Sequence, residues 1–265
     1  MFPDLIDIGF LHLKTYGACM ALGFLICWKL IERFSSRTDL SNLIMALMFS
    51  GIAGSRIAYV IEHWSEEFAA SPANIIRVDQ GGLMFYGGLI LAIVVFFVWC
   101  AIKRERPLAL ADLFVSVLPL GHAFGRVGCF FYGCCYGRDS NAWYAVTFPA
   151  GSPSWFEHGR RAVSVLPTQL FEAAALVALF LILLWLRRRL AGNSRSEGML
   201  TGAYLIGYAL IRFCIEFLRG DPRAAVGFPA VGFLSISQAI SVCMVILGTA
   251  SICYARFRRV EKEAR

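Results

Sequence analysis

Leu83-Met-Phe-Tyr-Gly-Gly-Leu-Ile-Leu-Ala-Ile-Val-Val-Phe-Phe-Val-Trp-Cys-Ala-Ile102 runs for twenty residues without a charged side chain and is closed by Lys103 and Arg104. As a helix rising about 1.5 Å per residue it is about 30 Å long, the thickness of a bilayer's hydrocarbon. It has no polar face, so lipid or other apolar helices must surround it. Comparable runs lie at 16–30, 42–61, 108–131, 166–186, 199–218 and 233–254. Apolar residues make up 58% of the 265-residue chain, and its mean hydropathy is +0.64. That share exceeds the ~45–50% usual in soluble domains. Too little polar chain remains to clothe a water-facing surface. The expectation is an all-α integral membrane protein of about seven transmembrane helices, one transmembrane domain over residues 1–265.

The charges between these runs are uneven. Lys29, Arg33 and Arg37, then Lys103, Arg104 and Arg106, then Arg187, Arg188, Arg189 and Arg195 fall on one side of a seven-span chain. Arg256, Arg258, Arg259, Lys262 and Arg265 join them there. The other side receives Lys14, Arg77, Arg138, Arg160, Arg161, Arg219 and Arg223, so about 15 basic residues face about 7. Basic residues accumulate in cytoplasmic loops, which predicts an external N-terminus and a cytoplasmic C-terminus. The net charge of +7 is therefore membrane-flanking charge and no sign of a nucleic-acid partner. Residues 1–14 hold Asp4 and Asp7 and no basic n-region, so no cleavable signal peptide is read there. Segment 71–82 reads as a short re-entrant or surface piece. Segment 138–165, with Trp143, Tyr144 and Trp155 among Pro and Gly, reads as a small external interfacial cap.

Three arginines sit inside apolar spans: Arg56, Arg126 and Arg212. Each costs about 2.5–3.5 kcal/mol to insert at a helix centre, so each needs compensation. Arg56, near a helix end, suits snorkelling or internal pairing. Arg212 shares a helix face with Glu216, four residues on, and Arg219 follows. Arg126 brings positive charge that no residue of its own helix balances, and surplus guanidinium in a membrane cavity favours an anionic phosphate, which arginine grips in bidentate fashion. In a bilayer the abundant phosphate is a phospholipid headgroup.

Around Arg126, Gly121, Gly125, Gly128, Gly133 and Gly137 are expected either to end or loosen the helix at a cavity or to let helices pack closely. Tyr86 stands between two glycine pairs. Of nine cysteines, Cys129, Cys134 and Cys135 cluster in sequence. A disulfide, a metal site and thiols lining a substrate pocket are all open readings. Without a C-x-x-C pair, and with four dispersed histidines, no zinc motif is read and no metal is expected.

Taken in order, several pieces resemble the prolipoprotein diacylglyceryl transferase family. They are Tyr16-Gly17, then Gly-Gly-Leu-Met-Phe-Tyr86-Gly-Gly, then His122-Ala-Phe-Gly-Arg126-Val-Gly128, then Pro167-Thr-Gln169-Leu-Phe-Glu172. Arg212-Phe-Cys-Ile-Glu216-Phe-Leu-Arg219 and Leu234-Ser235-Ile-Ser-Gln238 complete the set. The resemblance spans nearly the whole chain and implies a multi-pass transferase of the bacterial inner membrane, with its site toward the external face. Its implied reaction moves a diacylglyceryl group from phosphatidylglycerol to the thiol of a lipobox cysteine in an exported precursor, releasing glycerol 1-phosphate without a cofactor. It implies that Arg126 and Arg212 hold the phosphate, that Glu216 orients Arg212, and that Tyr16 lines the pocket. Arg219, Gly128, Cys129, Cys134 and Gln169 are carried over as substrate-binding positions. Tyr86 stands where the family's third-helix motif usually has His, Cys129 where it has Asn, and Cys134 where it has Glu; Tyr86 takes the place of the acid–base group. Two other readings fit a divergent member: a different acceptor for the lipid fragment, or phospholipid binding and transport without catalysis. A thiol-redox membrane protein built on the three cysteines is a further class.

Overall fold

A computed structural model of the protein describes residues 4–8, 11–35, 37–69, 71–77, 82–190, 197–220 and 235–263. Two strands, β1 (Asp4–Ile8) and β2 (Leu11–Lys14), pair antiparallel and lead into α1 (Thr15–Phe34) and α2 (Asp39–Glu62). A π-helical turn at Trp64–Phe68 and a 3-10 turn at Pro72–Ile76 precede α3 (Phe85–Lys103). Then come α4 (Pro107–Val115), α5 (Leu118–Tyr132), β3 (Val146–Thr147), α6 (Pro153–Glu157), β4 (Ser164–Val165), α7 (Thr168–Leu190), α8 (Met199–Glu216) and α9 (Ile236–Glu263). The two short strand pairs are an addition to the all-α expectation.

Among the described residues, α2, α3, α7, α8 and residues 236–257 of α9 are each long and apolar enough to cross a membrane. The pair α4 and α5 makes a sixth crossing if taken as one bent span. The expected single helix over 108–131 is thus corrected: it breaks at Ser116–Val117 and turns by 43°. Pro119 accounts for the break, because its ring denies a hydrogen bond and crowds the carbonyl four residues back. Ser116 Oγ donates to the Leu113 carbonyl at 2.6 Å and satisfies one acceptor freed there. α1 has twenty residues, but Lys29, Glu32 and Arg33 occupy its last turns and leave a shorter apolar stretch. Residues 233–234 of the expected last span, Arg195, Arg223, Leu234 and most of the loop 219–232 lie outside the described residues.

The helices divide into two compact units. In the unit Glu32–Leu110, α2 packs on α3 through glycines. A Cβ on Gly54 would lie 2.5 Å from the Gly87 carbonyl oxygen, and one on Gly88 2.5 Å from that of Gly51, so only hydrogen fits at this crossing. Arg56 serves the same unit. Its Nε donates to the Ile75 carbonyl at 2.8 Å, Nη1 to Gly82 at 3.1 Å, and Nη2 to Asn74 at 2.7 Å and Arg77 at 3.2 Å. The Tyr59 and Phe68 rings lie beneath it. The arginine ties residues 74–77 and Gly82 back to α2, which is a structural duty.

The other unit takes Met1–Ile31 with Ala111–Arg265. Here α7 packs against both α5 and α8, and α8 against α9. Leu176, Leu179 and Leu183, a turn or so apart on α7, are buried between its neighbours. The head of α8 is capped from α4: buried Asp112 accepts from the Gly198 N–H at 2.7 Å, the Thr201 N–H at 2.7 Å and the Thr201 hydroxyl at 2.6 Å. A carboxylate there satisfies orphan amides and meets the positive end of the helix dipole.

Between α5 and α7 the cap expected over 138–165 folds around Tyr136, Phe148 and Val165, all buried. The chain at 136–139 is stitched on both sides: the Gly137 N–H donates to Leu166, the Arg138 N–H to Leu218, and the Gly220 N–H to Tyr136. The strand pair β3–β4 and α6, whose first turn is capped by Ser152 Oγ accepting from the Trp155 N–H, complete it. Trp143 is 94% exposed.

Candidate functional site

α5, α7 and α8 each bring charge into the interior of their unit. Arg126 projects from α5, Glu172 from the first turns of α7, and Arg212 and Glu216 from the last turns of α8. Arg126 Nη2 lies 3.1 Å from Glu172 Oε1, and Arg212 Nη1 lies 4.0 Å from the other oxygen of the same carboxylate. Arg212 Nη2 meets Glu216 Oε2 at 2.8 Å and donates to Ser237 Oγ on α9 at 2.9 Å. Glu172 is 1% exposed and is the hinge of the group. The expected excess positive charge is corrected accordingly: two carboxylates match the two guanidiniums, and the balancing group for Arg126 sits on a different helix. Glu172 was the residue missed. Counting ionisable residues across spans, instead of along each one, would have paired a carboxylate at the head of α7 with an arginine on α5.

Matching charge does not exhaust the donors. A guanidinium has five N–H groups, and Arg126 Nε is buried with no hydrogen-bond partner among the described residues. Gln169 Oε1, one turn before Glu172, is buried and likewise lacks a partner among the described residues. Buried polar atoms left so are costly, and a polar ligand or a water would satisfy them. Tyr208 packs beside this cluster, with His122 against its ring at 5.2 Å.

The glycines of α5 have a plain function. Gly121, Gly125 and Gly128 lie inside the helix, so they do not loosen it; that expectation is corrected, and close packing is the role observed. They accept α1: a Cβ on Gly121 would be 3.1 Å from Cys27 Sγ, on Gly125 3.1 Å from Met20 Sδ, and on Gly128 3.0 Å from Tyr16 Cδ2. Tyr16 is thereby held against α5 two residues from Arg126. Gly133, at φ +80, ends the helix, and its N–H returns to the Cys129 and Phe130 carbonyls.

Across that end, Cys129 of α5 and Cys134 and Cys135 beyond it converge, with sulfurs all within 4.8 Å of one another. The three are thiols and partly buried. Cys135 holds φ +61, a region unfavourable to a side chain with Cβ. The α7 head pins the loop: Gln169 Nε2 donates to the Cys134 carbonyl at 2.7 Å and Thr168 Oγ1 to the Cys135 carbonyl at 3.0 Å. Hydrogen bonds from Cys129 and Cys134, then the charges of Arg219 and Arg126, hold the Cys135 thiol well below the usual thiol range. Of the residues read from sequence, Arg126, Arg212, Glu216, Gly128, Cys129, Cys134, Gln169, Arg219 and Tyr16 all belong to this unit. Tyr86 belongs to the other, at the head of α3, and is 52% exposed.

Residues 3–254 match the sequence profile described as prolipoprotein diacylglyceryl transferase. A phosphatidylglycerol–prolipoprotein diacylglyceryl transferase of Pseudoalteromonas translucida is 31% identical over 273 aligned positions, covering 99% of this chain and 96% of the relative. The enzyme numbered 2 under the same name in Clostridium perfringens is 36% identical, covering 91% of each chain. Another in Vibrio cholerae is 34% identical, covering 93% of this chain and 88% of the relative.

Proposed function

The chain belongs to the prolipoprotein diacylglyceryl transferase family, and from that membership we propose that it transfers a diacylglyceryl group from phosphatidylglycerol to the cysteine thiol of a prolipoprotein lipobox, releasing glycerol 1-phosphate. The observation that carries the reading to particular residues is the buried Arg126–Glu172–Arg212–Glu216 group, in which Arg126 Nε keeps an unused donor.

The chemistry is a displacement at the glyceryl carbon that bears the phosphate ester. A thiolate attacks that carbon, the C–O bond breaks, and its electron pair leaves on the phosphate. Negative charge grows on the departing oxygen, so donors fixed beside it stabilise the transition state more than the ground state. Arg126 and Arg212 are the donors. Glu172 and Glu216 hold them in place, and Ser237 accepts from Arg212 on the remaining side. Preset geometry matters because a long guanidinium that must be ordered during the reaction gives back part of its advantage. Tyr16, Gly128 and Gln169 line the approach, and Arg219 adds positive charge beside it.

In the bilayer the proposal takes α1 as a seventh crossing, with Lys29 and Arg33 at its cytoplasmic end, the N-terminus outside, and the cap over 138–165 in the external headgroup layer of a bacterial inner membrane. The deciding experiment is release of glycerol phosphate from phosphatidylglycerol by the purified protein. Release that requires a lipobox peptide is the expected result. Release to water alone, or none beside an active relative, overturns the acceptor.

A further inference from the structure

Three sulfurs within 4.8 Å of one another are an uncommon arrangement for unmodified thiols. Neighbouring side chains in extended chain point to opposite faces, yet Cys134 and Cys135 both reach Cys129. The left-handed φ of Cys135 turns the chain where they meet, and Thr168 and Gln169, each 1% exposed, grip the two carbonyls from α7. A strained conformation kept by two buried hydrogen bonds costs stability and needs a return. A disulfide takes two of the sulfurs and leaves the third idle; one metal ion takes all three.

We propose that Cys129, Cys134 and Cys135 form a three-thiolate site for a thiophilic d10 cation, zinc, whose fourth position is open to the acceptor thiol. Thiolate donors select zinc over magnesium or calcium, and a zinc site with three protein ligands and one open place is the catalytic kind. Zinc–sulfur bonds of about 2.3 Å set tetrahedral sulfurs ~3.8 Å apart. The sulfurs lie within 4.8 Å of one another, so no pair exceeds that spacing by more than about 1 Å. Three thiolates around Zn²⁺ leave one net negative charge.

The role in turnover rests on the reading given under the proposed function. A thiol that coordinates zinc gives up its proton, here to water. The sulfur then forms its bond to the glyceryl carbon as the C–O bond to phosphate breaks. The product thioether is a poor ligand and leaves, the phosphate departs with the bonding pair, and the metal's charge is unchanged. The sequence expectation of no metal rested on the missing C-x-x-C spacing; C-x4-C-C brings three sulfurs together because the helix ends between them.

Cadmium titration of the full-length protein, purified in detergent with reductant and treated with chelator, tests the site directly. One Cd²⁺ per chain with a sulfur-to-cadmium charge-transfer band is expected, absent when all three cysteines are replaced by serine and retained in Cys243→Ser. A lipobox peptide should raise the band by about a third, as a fourth thiolate joins three, while its serine counterpart leaves the band unchanged. This comparison needs no variant and is unaffected by a folding defect. Zinc should then restore peptide-dependent release of glycerol phosphate. A disulfide among the three in active protein, no band at one equivalent, or full turnover after chelation overturns the metal site and leaves the transferase reading standing. A peptide-responsive band without any release supports the metal site and overturns that reading.

Discussion

Arg126 and Arg212 are tied to one carboxylate, so their substitutions are not equivalent to removing exposed charges. Replacing either by alanine takes away a phosphate donor and strands part of Glu172. Release of glycerol phosphate from phosphatidylglycerol is expected to fall to background in both variants; full turnover in either defeats the pocket. Arg126→Lys should recover little, because a point charge cannot supply the planar fork. Glu172→Ala should be worse for the fold than for binding. Leaving a buried guanidinium without its partner costs on the order of 3–5 kcal/mol, and a lowered melting temperature in detergent would show it. Tyr86→Phe removes only a hydroxyl. Lost turnover is expected if the phenol exchanges a proton or hydrogen bond with the reactants, and unchanged turnover assigns Tyr86 to packing.

Individual elements are held by single polar side chains reaching from neighbours. Asp112 closes the amide end of α8 from α4, so Asp112→Ala is expected to cost about 1–3 kcal/mol. Asp112→Asn should recover part of this; hydrogen exchange at the first turn of α8 reads both. Arg56→Ala should free the chain at 74–77, measured as faster proteolysis after Ile75, while leaving α2 and α3 intact. In the cap, burial lowers the pKa of His158, but the Ser154 carbonyl at 2.6 Å and Asp139 at 3.0 Å outweigh it, so His158 titrates above its ordinary value. The protonated ring is the one these partners favour. Its stabilisation is complete below the ordinary histidine pKa and is lost as pH rises through the higher folded value. Because Asp139 is 69% exposed, the effect stays below about 1 kcal/mol. Proteolysis of the cap should quicken from mildly acidic to mildly alkaline pH, and His158→Gln should abolish the dependence.

For the molecule as a whole, the asymmetry of basic residues makes orientation testable without reference to the site. Reporter fusions after Arg104 or Leu190 are expected to be active in the cytoplasm, and one within 138–165 only outside. After chelator treatment, an impermeant thiol reagent should reach the Cys134–Cys135 loop from the external face. Labelling from the cytoplasmic side alone would invert the topology.

The residues 83–102 were enough to establish a membrane helix, because covering that much apolar surface is a local requirement met along one segment. The glycine pairs, the basic flanks and the Arg212–Glu216 pair were equally open to reading, since each depends on neighbours within a turn or two. Two features escaped, and a third was left open among several readings. The break at Ser116–Val117 follows from Pro119 inside a run whose hydropathy shows no interruption, and hydropathy does not register a lost amide. Glu172 lies 46 positions from Arg126 and 40 from Arg212, so only the packing of α7 between α5 and α8 shows that one carboxylate serves both. The third is the meeting of three thiols across a helix end, where a left-handed turn and two hydrogen bonds from α7 bring together side chains that spacing alone would separate. Burial of apolar surface depends on composition over a window and is written in the sequence. Compensation of buried charge and convergence of ligands are pairwise distances, and only the folded chain sets them.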